Sequence, residues 1–450
     1  MDSVSERTDP GGLRRSLGVR DLMVYGLLFI APMAPVGVFG VLDAKSHGAV
    51  AAVYVAATVA MGFTAFSYAQ MVRAVPQTGS VFAYARAGLG EGPGFIAGWM
   101  AMLDYLLIPA VAYLFSGIAL NSLVPGVSRW VWTALAVLVT TALNLIGVRT
   151  AAVVGFAVLA LEIAVLAVFV VAAVVVLVRD GAQRGWLSPL TGVGGFSFTA
   201  VLSAVSVAVL SFLGFDAIAS FVEEAVGASA AVAKALLWCL VLAGTLFIAQ
   251  TYLAALLEPD SPQQLAADPA AQGSAFYRTV DTAIAHWLHT LVAVSKAVGA
   301  AFAALAGQAA AGRLLFAMGR EGRLPRALAG VDARSGVPRP ALLTAALITM
   351  VAAVWAARRD DGLDQLTSVV DIGALTAFVL LHASVIGWYT VRQGSRDRLR
   401  HLVVPALGIA VIVAVIVEAA HTAQWVGLVW LAAGITVLLV QDRTAVGRRR

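Results

Sequence analysis

The chain has 450 residues, of which 60% are hydrophobic and only 12% are charged, and its formal net charge is +5. Soluble domains carry about 25% charged residues because their surfaces must be solvated, so an ordinary water-soluble protein is excluded. The apolar runs are continuous rather than alternating, which excludes a transmembrane barrel and favours a bundle of membrane-spanning helices.

Twelve apolar runs separated by polar breaks predict twelve membrane-spanning helices. A hydrocarbon core about 30 Å thick needs about 20 apolar residues per helix, and short loops then leave room for roughly twelve helices. The predicted ranges, called spans one to twelve below, are 22–44, 49–72, 95–121, 129–146, 151–178, 199–222, 235–257, 284–311, 340–357, 367–390, 402–419 and 425–441. Small, aromatic and basic residues from Pro76 to Arg86 predict an amphipathic segment between spans two and three.

The basic residues predict the orientation of the chain. With the first residues in the cytoplasm, the predicted cytoplasmic segments hold 22 of the 30 lysines and arginines, and the outer segments hold 7. Cytoplasmic loops of membrane proteins carry this excess of positive charge. Both termini are therefore expected in the cytoplasm.

Span one contains two prolines in mid-membrane, in the stretch Ile30-Ala31-Pro32-Met33-Ala34-Pro35-Val36-Gly37. Each proline removes a backbone N–H and clashes with the carbonyl four residues earlier, so the helix should kink or unwind. Irregular backbone at that depth survives only where it is buried in protein or lines a cavity. A plain proline kink packed against neighbours is the alternative.

Span six carries a second irregularity, in the stretch Leu210-Ser211-Phe212-Leu213-Gly214-Phe215-Asp216. Broken first and sixth helices are the pattern of inverted-repeat transporters, whose substrate site lies between the breaks near the midplane. The candidate substrate residues are Ala31, Pro32, Met33, Ala34, Gly37, Asp104, Tyr105, Ser211, Phe212, Gly214, Phe215 and Asp216. Phe212 and Phe215 are candidate gates, with ordinary aromatic packing as the alternative.

Ionisable side chains inside spans are costly and are therefore functional candidates. Asp104 and Asp216 are expected at the substrate site, and Asp371 near the outer end of span ten. The candidates for coupling to an ion are Glu162, Ser295 and Lys296, and pairing of Lys296 with an acid is the structural alternative. Glu223 and Glu224, at the cytoplasmic end of span six, favour solvation or a salt-bridged inner gate.

These stretches resemble the amino acid/polyamine/organocation permease superfamily. The resemblance also includes Val75-Pro76-Gln77-Thr78-Gly79-Ser80-Val81-Phe82-Ala83-Tyr84 and, most specifically, Arg313-Leu314-Leu315-Phe316-Ala317-Met318-Gly319-Arg320-Glu321-Gly322-Arg323-Leu324-Pro325. It implies an all-α integral membrane protein with the leucine-transporter fold, that is, five-plus-five inverted repeats and two further helices. The implied parts are a cytoplasmic tail (1–20), repeat one (21–180), repeat two (195–392), helices eleven and twelve (400–441) and a basic cytoplasmic tail (442–450).

The sequence departs from that family in three places. Amino acid permeases offer glycine-rich N–H groups in span one to the substrate carboxylate, whereas Pro32 and Pro35 cannot donate. This segment, with Leu-Asp-Tyr-Leu-Leu-Ile-Pro of span three, resembles the branch that includes bacterial putrescine importers. The usual polar turn after Glu224 is replaced by Ala-Val-Gly-Ala-Ser, and span five lacks the lysine that serves some members in proton coupling.

The sequence favours a secondary transporter in a bacterial inner membrane that moves a cationic amine such as putrescine by ion-coupled uptake or exchange. An α-amino acid permease is the alternative. A channel or membrane scaffold is the remote alternative. A channel would line its pore with repeated charged rings or carbonyl filters, and the scattered acids of this sequence do not provide them. A six-plus-six fold would place its long basic loop after span six, whereas here the most basic loop follows span eight.

Motifs for other chemistry are missing from the sequence. The six histidines do not fall in His-Glu-x-x-His spacing, no glycine-rich phosphate loop is present, and Cys239 is the sole cysteine. We therefore expect no enzyme activity, resident metal or cofactor, and no nucleotide or nucleic acid partner. The expected partners are a small amine or amino acid, the lipid bilayer and a proton or sodium ion, and a homodimer is left open.

Overall fold

The computed structural model describes residues 17–76, 81–146, 151–222, 225–320, 325–332 and 338–447. Within these ranges the chain is helical, and the β-structure consists of one isolated parallel bridge between Leu17 and Ala225. The predicted inner-gate pair, Glu223 and Glu224, lies outside the described residues. So do residues 77–80 and 321–324 of the superfamily motifs.

The helices follow the predicted spans in order. Span one consists of Val19–Ile30, Ala34–Gly37 and Phe39–Lys45, and spans two to five are Val50–Ala74, Glu91–Leu123, Arg129–Ile146 and Ala151–Asp180. Span six consists of Phe198–Ala208, Val209–Phe212 and Phe215–Phe221. Spans seven to twelve are Ala228–Leu257, His286–Arg320, Arg339–Ala357, Gly362–Val385, Val404–Glu418 and His421–Gly447. Single π-type turns, Ile386–Arg392 and Leu399–Val403, link spans ten and eleven.

Short helices lie between the spans. The predicted amphipathic segment forms the helix Val81–Leu89, and the others are Ser188–Thr191, Pro262–Ala267, Pro269–Gln272, Ala275–Ala283 and Arg326–Ala329. Pro262–Ala267 begins with a capping box, in which the Ser261 hydroxyl accepts from the Gln264 N–H and the Gln264 side chain accepts from the Ser261 N–H. These caps fix the chain where it leaves span seven.

Eleven helices among the described residues are long and apolar enough to cross a membrane. They correspond to all predicted spans except span six, whose apolar helix Phe198–Phe212 is shorter. The multi-pass membrane character is confirmed, and the count of twelve crossings stays a prediction. The predicted end of span eight at residue 311 is wrong, because the helix continues past Arg313 to Arg320, where a basic residue interacts favourably with the helix C-terminus.

Span three is the central helix of the bundle. It packs against spans four, eight, nine and ten and against the helix Val81–Leu89. Spans eleven and twelve lie at the periphery, since only 22% and 17% of the residues in their most apolar stretches are buried. Their exposed valines and leucines form the kind of apolar surface that contacts lipid.

Gly88 allows the helix Val81–Leu89 to pack closely on span ten. A Cβ atom on Gly88 would lie 2.6 Å from the Ser384 Cα. We expect Gly88→Ala to push the two helices apart and to destabilise the fold by about 1–3 kcal/mol, seen as a lower Tm in detergent. Gly62→Ala is the control, because its Cβ would meet its nearest neighbour at 3.9 Å. A Gly88→Ala protein as stable as the control would contradict this packing.

Candidate functional site

Span one is interrupted at its middle, as its two prolines predict. The helix Val19–Ile30 ends at Ala31, whose φ of 60° lies in the left-handed region. A tight turn, Ala34–Gly37, follows before the helix resumes. Pro32 and Pro35 have no N–H to donate, so a regular ladder of hydrogen bonds cannot pass through this stretch.

Span six is interrupted where it approaches the span-one break. The turn Val209–Phe212 is followed by Gly214, with a φ of 105°, and then by the tight helix Phe215–Phe221. A Cβ atom on Gly214 would lie 3.1 Å from the Phe29 carbonyl oxygen. Glycine is required here by both its backbone conformation and this close approach, which brings the two breaks together.

Three carboxylates from three helices lie near these breaks. The charge of Asp216 in span six acts on Asp104 in span three, and the charge of Asp104 acts on Asp371 in span ten. Asp104 Oδ1 is buried and lacks a hydrogen-bond partner. The buried Asp371 carboxylate interacts with the Leu210 backbone. Among the residues that the structure describes, no cationic side chain forms an ion pair with any of the three.

The side chains beside these carboxylates are partly accessible to solvent. Tyr105 is 38% exposed although it lies in the middle of the central helix. It faces inward, because the charges of Asp216 and Asp104 act on it and it interacts with Tyr68 of span two. Asp104 and Asp216 are half-buried. Tyr105 and the two aspartates are therefore partly accessible and lie within electrostatic reach of one another.

Aromatic side chains surround the span-six break. The Tyr68 hydroxyl donates to Asp216 Oδ2 at 3.2 Å, and the Tyr68 ring packs edge-on against Phe215 and Phe378. The predicted gates Phe212 and Phe215 are both fully buried. Tight aromatic packing of this kind holds the break in one conformation, and whether either ring moves stays a prediction.

The coupling candidates lie on the other side of the span-one break. Lys296 Nζ donates to the Met33 carbonyl at 3.1 Å and lies 5.1 Å from the centre of the Phe115 ring. The Ser295 hydroxyl contacts Met33 Sδ at 3.7 Å. The charge of Glu162 acts on Lys296, and the Glu162 carboxylate interacts with the Met33 backbone. Lys296 and Glu162 therefore interact with the backbone of the break, and Ser295 contacts the Met33 side chain there.

Several residues of the site were not singled out by the sequence. Gln250 of span seven donates to the Pro32 carbonyl at 3.0 Å, and the Tyr54 hydroxyl lies 2.8 Å from Ser211 Oγ. Asp371 was an ionisable candidate of span ten, but its approach to Asp104 was not foreseen; it is buried, and the charge of Asp104 acts on it. Each is a polar side chain in an apolar span, which is a signal for an internal partner but does not identify it.

A separate polar cluster lies at the predicted outer end of the bundle. Arg184 makes two 2.8 Å hydrogen bonds to the fully buried Asp43 carboxylate and a further one to the Asp260 carbonyl. Glu258 accepts from the Thr279 hydroxyl and, at 3.1 Å, from the Asp260 N–H. These contacts join the outer ends of spans one and seven to the loops beside them.

Glu258 gives the protein a predictable pH dependence. Burial raises the pKa of Glu258 from 4.5 to about 7, opposed by the Thr279 and Asp260 hydrogen bonds; the nearby Asp43 raises it and Arg184 lowers it. The folded protein therefore binds this proton more tightly than the unfolded chain does. The resulting stabilisation is fully present below pH 4.5 and is lost as the pH rises through 7, by at most about 1.4 kcal/mol per pH unit.

We expect the Tm of the wild-type protein to fall, relative to that of Glu258→Gln, as the pH is raised from 4.5 to 7. The measurement is thermal unfolding in detergent across this range, with both proteins in the same buffers. Glutamine does not titrate, its carbonyl oxygen can accept from the Asp260 N–H, and its NH₂ group can donate to the Thr279 hydroxyl, which itself donates to the Ala275 carbonyl. Other groups therefore contribute equally to both curves. Parallel curves for the two proteins would contradict the assignment.

A family model described as amino acid permease matches residues 22–440. The chain belongs to the amino acid permease family. The matched range contains both breaks, the three carboxylates and the residues around Met33. The resemblance to the amino acid/polyamine/organocation superfamily is thereby confirmed, and the permease is a multi-pass membrane transporter by family.

Individual relatives cover almost the whole permease. It is 28% identical over 443 residues to the low-affinity putrescine importer PlaP of Escherichia coli, covering 97% of this chain and 95% of that protein. It is 27% identical over 488 residues to the branched-chain amino acid permease BcaP of Bacillus subtilis, covering 98% and 96%. It is also 27% identical over 409 residues to the vacuolar cationic amino acid transporter 2 of Arabidopsis thaliana, covering 86% and 61%. Their names differ in substrate, so these similarities support transport without specifying the solute.

Proposed function

We propose that the permease is a secondary transporter of small organic cations, with a diamine such as putrescine as the first candidate. In this proposal it works by alternating access in a bacterial inner membrane, with both termini in the cytoplasm. The observation that carries the proposal is the group of three carboxylates, Asp104, Asp216 and Asp371, within electrostatic reach of one another and without a cationic partner among the described residues.

Uncompensated carboxylates inside a membrane protein require a cation or protons. Each buried charge that lacks a partner costs several kcal/mol, and like charges at short range repel one another. A diamine carries two ammonium groups on a flexible apolar chain, so it can neutralise two carboxylates at once. Tyr105, Asp104 and Asp216 are partly accessible, and such a molecule would bind beside them.

The span-one break is a weak site for a substrate carboxylate. Its N–H groups at Ala31, Ala34 and Val36 already donate to backbone carbonyls of the same stretch, and Pro32 and Pro35 have none. The nearby cation, Lys296, is directed at the Met33 carbonyl. An α-amino acid would therefore find partners for its ammonium group but few for its carboxylate, which favours an amine without a carboxylate.

An α-amino acid remains the second candidate substrate. The similarity to a branched-chain amino acid permease covers as much of the chain as the similarity to a putrescine importer, at nearly the same identity. For either substrate, we propose a proton or sodium ion as the coupling ion, with Glu162, Ser295 and Lys296 as the responding group. Phe212 and Phe215 would occlude the substrate, and Glu223 and Glu224 would close the cytoplasmic side.

Transport in proteoliposomes separates the two candidates. Radiolabelled putrescine, arginine and a neutral branched-chain amino acid are offered to the wild-type protein and to Asp104→Asn, with and without imposed proton and sodium gradients. We expect saturable putrescine uptake that Asp104→Asn lowers by at least about tenfold, because the substitution removes one negative charge from the site. Saturation only by α-amino acids would overturn the diamine proposal.

A further inference from the structure

Three side chains with metal-binding atoms meet on the predicted outer face. Asp281 belongs to the loop helix Ala275–Ala283, and His286 and His289 begin span eight. Their ligand atoms all lie within 4.8 Å of one another. His286 Nδ1 is 2.8 Å and His289 Nδ1 is 3.8 Å from the same oxygen, Asp281 Oδ1. Tetrahedral zinc, with bonds of 2.0–2.1 Å, separates its ligand atoms by about 3.3 Å.

The surroundings of His289 fix which of its nitrogens is free to bind. The Ser122 hydroxyl donates to the Ala119 carbonyl at 2.7 Å, so towards His289 Nε2, 3.3 Å away, its oxygen can only accept. The hydrogen-bond network therefore assigns the proton to Nε2 and leaves a lone pair on Nδ1. His289 is 95% buried, with an exposure of 5%, and its Nδ1 has no hydrogen-bond partner. That lone pair faces a carboxylate oxygen, an arrangement that calls for a cation between them.

We propose that Asp281, His286 and His289 form a binding site for a transition-metal ion, with Zn²⁺ as the preferred species. Two imidazoles and one carboxylate suit zinc, whereas calcium and magnesium prefer oxygen ligands throughout. Ser122 supplies the outer-shell contact that orients a metal-binding histidine through its other nitrogen. The His286 side chain is 81% exposed and that of Asp281 39%, so the ion can enter and a water molecule can complete its coordination. Such an ion would fix the loop helix to span eight and, through Ser122, to span three.

Zinc binding to the whole purified protein tests this proposal. The chain carries an affinity tag without histidines, is stripped of metal with a chelator, and is titrated with Zn²⁺ against a chromophoric competitor. We expect one Zn²⁺ per chain, with affinity lowered at least tenfold in His286→Ala and in Asp281→Asn. Ser122→Ala should lower the zinc affinity about tenfold or more, because Ser122 orients the His289 ring. His421→Ala removes an exposed histidine at the start of span twelve and should bind zinc like the wild type.

Two measurements keep the result interpretable. His286→Ala alters an exposed side chain, so the unliganded variant should unfold at the wild-type temperature while losing the rise in Tm that zinc gives the wild type. Co²⁺ in place of Zn²⁺ should give a visible absorption band that this variant lacks. Failure of the wild type to bind one equivalent of Zn²⁺ at micromolar concentration would overturn the proposal. Equal affinity in the wild type, His286→Ala and Asp281→Asn would overturn it as well.

Discussion

Replacing Asp216 with asparagine is expected to raise the KM for putrescine by about 30-fold or more. A buried, hydrogen-bonded charge pair is worth about 2–5 kcal/mol when one partner is removed, and 2 kcal/mol corresponds to about 30-fold in affinity. Asparagine has nearly the same shape, and its carbonyl oxygen can still accept from the Tyr68 hydroxyl. The break should therefore keep its conformation while the site loses one negative charge.

The measurement is initial-rate uptake of radiolabelled putrescine in proteoliposomes, with protein amounts and orientation matched. Asp180→Asn is the control, because Asp180 is an exposed carboxylate paired with the adjacent Arg179. Its KM should equal that of the wild type. If Asp216→Asn transported putrescine with the same KM as Asp180→Asn, Asp216 would not contact the solute.

Replacing Lys296 with methionine should produce the largest loss of stability. Lys296 is 3% exposed, and its ammonium group is held by the Met33 carbonyl and the charge of Glu162. Methionine fills similar volume but leaves Glu162, which is 2% exposed, without a cation. Removing one partner of a buried charge pair costs about 3–5 kcal/mol, because the other charge remains buried.

The double variant Lys296→Met/Glu162→Gln shows whether the two charges act as a pair. It should unfold at a higher temperature than Lys296→Met alone, with a coupling energy of about 0.5–3 kcal/mol between the two positions. Lys234→Met is the control, since Lys234 is exposed at the start of span seven. Thermal unfolding in detergent of the wild type, Lys296→Met, Glu162→Gln and the double variant gives the four values of this cycle. Additive effects of the two substitutions would contradict the pairing.

The two breaks could be predicted from the sequence because their causes are local. Pro32 and Pro35 remove N–H donors wherever the helix lies, and Gly214 beside Asp216 marks a stretch that cannot pack as ordinary apolar helix. Eleven of the twelve spans were equally predictable, since the length of an apolar run determines whether it can cross a membrane. The end of the span-eight helix could not be predicted in this way, because charged residues can continue a helix beyond the apolar run.

The composition of the site could be predicted only in part, because it depends on how distant helices pack. Asp104 and Asp216 stood out as acids in apolar spans. Asp371 approaches Asp104 because span ten packs against span three. Lys296 reaches the Met33 carbonyl because span eight lies beside the break of span one. No spacing along the chain encodes such an approach. The group formed by Asp281, His286 and His289 was not predicted either, because these residues match no standard metal-binding spacing.

The decisive measurement is a structure of the permease with putrescine bound. We expect the solute to lie beside the breaks of spans one and six, with an ammonium nitrogen within hydrogen-bonding distance of the Asp104 or Asp216 carboxylate and Tyr105 next to its carbon chain. Density for putrescine elsewhere on the protein, with these carboxylates paired to protein cations instead, would contradict it.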